Sequence, residues 1–84
     1  MILASYFWRV PRIGEALGIL FYVYAEDHHP PHVHAIYGDE QAQLVIGSGE
    51  VLAGSLPGSK LRQAQEWLAA NRALAQAAWN RLNP

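Results

Sequence analysis

Residues 17–25, LGILFYVYA, form the most apolar stretch of the chain, with β-branched and aromatic side chains on both alternating sets. That pattern predicts a strand covered on both faces. Residues 32–37, HVHAIY, alternate: His32, His34 and Ile36 fall on one face, Val33, Ala35 and Tyr37 on the other. Gly38 and Asp39 predict a turn, residues 41–46 a returning strand, and Gly47-Ser48-Gly49 a second turn into a short strand at 50–53. Upstream, residues 1–8 alternate weakly, whereas residues 11–18 hold a proline, two glycines and two charges and read as a turn or loop. Residues 1–16 thus supply an arm or one extra strand.

The period changes after Ser59, which reads as a helix cap. Leu61, Ala64, Leu68, Ala75, Ala78 and Leu82 share one stripe, flanked by Trp67, Leu74 and Trp79, so residues 59–82 predict one long amphipathic helix. Asn71 falls in the middle of that stripe. Strands followed by one helix predict a two-layer α+β fold. The expected architecture is a three- to four-stranded antiparallel sheet over residues 17–56, with the C-terminal helix on one face and a single domain over 1–84.

Composition narrows the function classes. At 84 residues with 51% apolar content, the chain can form a small core and is not a disordered segment. Cysteine is absent, which excludes disulfide scaffolds, thiolate metal sites and cysteine nucleophiles. Charged residues make up only 15%, so part of the surface is expected to meet a second copy or a small protein partner. Residues 1–59 carry two basic and six acidic groups, and residues 60–84 four basic and one acidic, giving −4 and +3. The total of −1 lends no support to a nucleic-acid partner. No uncharged run approaches the ~20 residues of a membrane span, so the expected compartment is the cytoplasm.

All four histidines lie in Asp27-His28-His29-Pro30-Pro31-His32-Val33-His34. His32 and His34, two apart on a strand, project from one face and can chelate a single transition-metal ion. The Pro-Pro step can return His28 to the same ion, and Asp27 can add an oxygen or orient an imidazole. His29 is expected to point away from it. Zinc, nickel and copper are the candidate metals. Without a metal, His32 and His34 can serve as general base and acid, with Arg9 or Arg12 as a cationic partner for a phosphate. The third reading makes the cluster a hydrogen-bonded core or interface element. Asn71 either ties the helix to the sheet and the His loop or lines a site with His32 or His34, and Trp67 and Trp79 read as core anchors. The glycines lack a phosphate-loop pattern and the serines a nucleophile-elbow setting.

Residues 27–39, DHHPPHVHAIYGD, resemble the centre of a small bacterial family, domain of unknown function 4160. The resemblance extends to Gly54-Ser55-Leu56-Pro57 at the exit from the sheet and to Glu66, Trp67, Asn71, Arg72, Leu74 and Trp79 in the terminal helix, covering residues 17–82. Relatives often carry histidine where this chain has Asn71. The resemblance implies a small component of a toxin–antitoxin-like two-gene module, paired with a protein of a second family, domain of unknown function 2442. The family it resembles has no established enzymatic activity, so the resemblance leaves open whether the chain is an enzyme. The alternatives are a metal- or His-dependent hydrolase of RNA phosphodiesters and a homo-oligomeric metal-binding or structural protein.

Overall fold

The computed structural model describes residues 11–84, and the arm at residues 1–8 and Arg9 lie outside the described residues. Five strands follow in order: β1 (Arg12–Ala16), β2 (Ile19–Tyr22), β3 (His32–Tyr37), β4 (Glu40–Val45) and β5 (Val51–Gly54). They form one antiparallel meander in which each strand pairs with its sequence neighbours. Two helices complete the α+β fold, α1 (Gly58–Ala70) and α2 (Arg72–Leu82).

Three expectations are corrected. The sheet has five strands rather than three or four, because residues 12–16 form a strand instead of a loop. Leu17 and Gly18 take φ of 52° and 82°, the paired left-handed values of a tight hairpin turn, and this folds β1 back on β2. Gly14, which reads as a loop signal, serves packing: a Cβ there would collide with the indole of Trp67. That indole stacks on Phe21, with ring centroids 4.0 Å apart and planes at 11°.

The predicted long helix is two helices, broken at Asn71. The Asn71 amide donates to Trp67 O at 2.8 Å, and its backbone N–H reaches Trp67 O and Leu68 O. A short polar side chain that bonds the preceding turn competes with helix continuation. The start of the helix also differs. Ser59 lies within its first turn, and Pro57 stands at the cap with ψ of 146°, its carbonyl accepting the Leu61 N–H at 2.8 Å.

The core follows the alternation. Ile19, Phe21, Val23, Val33, Ala35, Ala42 and Leu44 are fully buried and pack with Ala64, Leu68, Ala75, Ala78 and Trp79 from the helices. The register pairs Phe21 with Ala35 and Ala35 with Ala42. His32, His34 and Ile36 therefore project to the opposite side of β3 from Val33 and Ala35. Three polar links fix the helices to the loops. Lys60 Nζ donates to Leu17 O at 2.8 Å, Gln65 Nε2 to Gly49 O at 2.9 Å, and Arg72 Nε to Ile46 O at 2.7 Å. Among the described residues, no helix is long and apolar enough to cross a membrane.

Candidate metal centre

His32 and His34 are placed by β3, and Asp27 by the loop that joins β2 to β3. Alternation brings the two imidazoles to one side, with ring centroids 5.0 Å apart. The loop then returns over them. Asp27 Oδ2 stands 2.9 Å from His34 Nε2 and 3.0 Å from His32 Nε2, while its Oδ1 accepts the His28 N–H at 2.8 Å. One carboxylate oxygen and two ring nitrogens thus converge, all within 4.8 Å of one another.

The hydrogen-bonding of His32 decides what this convergence means. Its Nδ1 lies 2.8 Å from Pro30 O. A carbonyl only accepts, so the proton of that contact sits on Nδ1, and the neutral ring has a bare Nε2. This Nε2 is sealed from solvent and makes no hydrogen bond, although Asp27 Oδ2 is 3.0 Å away. A lone pair facing a carboxylate oxygen in a dry site is repulsive unless a cation lies between them, either a second proton or a metal ion. Ligand atoms about 2.1 Å from one ion, at angles of about 90–109°, are about 3.0–3.4 Å apart. The two Asp27 contacts, at 2.9 and 3.0 Å, lie at the short end of that range.

The charge states agree with ligation. Burial pushes the His34 imidazole below its ordinary value. The Asp27 contact works against that shift, and the neighbouring His32 adds to it. For Asp27, burial alone would raise the carboxyl. The hydrogen bonds from His34 and the His28 N–H, with the charges of His32 and His34, outweigh it and hold the group below its ordinary range. Neutral imidazole and ionised carboxylate are the ligand forms. Tyr24 walls the His34 side, its ring 4.2 Å from the imidazole. Its phenol is pushed up by burial, then by Tyr22 and Asp27, and so remains neutral.

The other expected site residues fall in different places. His28 stacks on His32 at 4.5 Å between centroids, with its Nε2 3.7 Å from Asp27 Oδ1 and its side chain 57% exposed. It forms the outer rim. The His29 ring turns to the edge of Trp79, 5.6 Å away. Asn71 bonds the backbone of α1, and Trp67 stacks on Phe21 of β2, so each is engaged away from the histidines. Arg12 faces Glu15 at 3.7 Å, and Arg72 is held by Ile46 O.

Two supporting residues carried no site signal in the sequence. Trp79 packs its ring 5.3 Å from that of His32. Asn83, just past α2, accepts the Asp27 N–H on Oδ1 at 2.8 Å. A cleft of about 750 Å³ between this loop and the end of α2 is bordered by Asp27, His29, Arg81 and Asn83, among others. Periodicity could have marked Trp79 only as core, and a lone asparagine beyond the helical stripe carries no pattern at all.

No curated protein and no solved structure matches the chain. A family model covers β2 through nearly all of α2, and so includes the His-bearing strand, the loop before it and the helices behind it. Residues 18–80 fit the family model described as Domain of unknown function (DUF4160), and the chain belongs to that family.

Proposed function

We propose that this protein is a transition-metal-binding module in which Asp27, His32 and His34 hold one divalent ion and the surface beside them is the working surface. The bare, buried Nε2 of His32, set against the carboxylate oxygen that also meets His34, carries this reading. Two imidazoles and one carboxylate suit zinc, nickel or copper. The third loop histidine, His28, lies within a side-chain movement of the ion and can complete the set when the loop closes. Sealing of the His32 Nε2 favours ligation over proton exchange with a substrate.

In this reading the centre stiffens a small partner-binding component of the toxin–antitoxin type. Exposed Leu17, Val51, Leu52 and Leu74 support an apolar contact with a protein. Whether that protein is a second copy or a member of the paired family is decided by co-expression and mass measurement of the complex. Hydrolysis is the second reading. Three protein ligands leave a coordination position for water, as in zinc hydrolases, and the cleft beside Asp27 is the route to it.

Metal analysis of untagged protein, with growth after induced expression, tests both. About one equivalent of metal per chain is expected in the wild type and none in Asp27→Asn. Metal-free wild-type protein after dialysis against zinc contradicts the proposal. Growth arrest by the wild type but not by Asp27→Asn ties the centre to the cellular role.

A further inference from the structure

The three candidate ligands come from two separately held pieces of chain. His32 and His34 are fixed by strand pairing to Val45 and Gln43. Asp27 lies in a loop with no ladder, directly after Glu26, whose φ of 56° is left-handed. Its backbone N–H bonds a side chain 56 residues away in sequence, the Oδ1 of Asn83, at 2.8 Å. The same carboxamide donates through Nδ2 to Tyr24 O at 3.0 Å and to Trp79 O at 3.3 Å. The Asn83 backbone N–H also returns to Trp79 O, at 2.8 Å. One side chain therefore joins the chain just past β2, the ligand loop and the last turn of α2. Trp79, in that same turn, packs against His32.

We propose that Asn83 is the positioning residue of the Asp27–His32–His34 centre, so that metal binding and docking of the last turn of α2 are one coupled equilibrium; this rests on the metal reading above. The chemistry is selective for asparagine. The position needs an acceptor for the Asp27 N–H and a donor for two carbonyls on one short side chain. Alanine offers neither, and aspartate accepts but does not donate. With the carboxamide in place, Asp27 is held over His32 and His34 before any ion arrives. Without it, the loop must be ordered at the moment of binding, and affinity falls. Coupling is reciprocal, so the ion tightens the last turn in return.

The test uses zinc titration and thermal melting of the wild type, Asn83→Ala and the control Asn80→Ala. Asn80 is exposed in the same turn and bonds Gln76 alone. Asn83→Ala is expected to bind zinc about ten- to a hundredfold more weakly and to show a smaller zinc-induced rise in Tm, with Asn80→Ala unchanged. Zinc affinity of Asn83→Ala within about twofold of wild type overturns the proposal. So does an equal fall in Tm for the metal-free and zinc-loaded variant, which is the signature of a purely structural role. Amide exchange of the wild type gives a reading that does not depend on a variant's folding. Zinc should slow exchange at Asp27 and Asn83 together, and no change at either amide contradicts the coupling. Wild-type protein that takes up no zinc removes the centre and this proposal with it.

Discussion

At His32, two ordinary rules combine into an unusual state. A carbonyl acceptor at Nδ1 fixes where the proton sits, and burial keeps water from the other nitrogen. The result is an imidazole whose free lone pair meets a carboxylate. His34 and Asp27 extend this to pH. The unfolded chain protonates the His34 ring near 6.5, and the folded chain only at lower pH. Between those points the unfolded state binds more protons, so stability falls as the pH drops below about 6.5. Asp27 adds a second loss below its ordinary 3.8, because its folded carboxyl is also held low. Urea denaturation of metal-free protein should therefore give a lower midpoint at about pH 5.5 than at about pH 7.5, and His34→Gln should shrink the difference. The pairing of His32 with His34 is legible in the sequence because strand alternation is strict. Asp27 is legible only as a neighbour, and the proton on Nδ1 depends on where Pro30 turns its carbonyl.

At the scale of elements, a residue that looked like a break is not one, and a residue read straight through is. Gly14 suggests a loop but belongs to β1, where the missing Cβ makes room for Trp67. Gly14→Ala should push the indole off Phe21 and destabilise the fold by about 1–3 kcal/mol, measured by thermal denaturation, with near-ultraviolet dichroism reporting the lost stacking. Asn71 sits in the apolar stripe, and its amide closes onto Trp67 O and separates α1 from α2. Period counting carried the stripe straight through, because a one-residue interruption leaves the residue types on either side unchanged. Strand number failed for a related reason: β1 is short, glycine-containing and half-exposed, and its identity comes from its partner β2. Trp79 links this scale to the site. Trp79→Ala removes a buried indole and the wall behind His32, and should cost about 3–5 kcal/mol of stability together with most of the zinc affinity.

Over the whole molecule, the sheet is covered by helices on the Phe21 face, and the His loop closes against its end. The histidine cluster, the α+β class and the family were all legible from the first reading, since each rests on local pattern. The convergence of Asp27 with Asn83 was not, because it joins residues far apart in sequence through one amide. If the ion binds only the folded chain, zinc at about one hundred times its Kd should stabilise the protein by about 2.7 kcal/mol, and a chelator should reverse it. Chelation that leaves Tm unchanged in protein shown to contain metal would place the ion elsewhere.

The most direct measurement is the nitrogen NMR of the four imidazoles during addition of zinc to untagged protein. Before zinc, His32 should show a protonated Nδ1 and a bare Nε2. At one equivalent, the Nε2 signals of His32 and His34 should shift together; the His32 Nδ1 signal should stay near its starting position, while the His34 ring proton, displaced from its Asp27 contact, moves from Nε2 to Nδ1. An unmoved His32 Nε2, or shifts confined to His28 and His29, would contradict the metal centre.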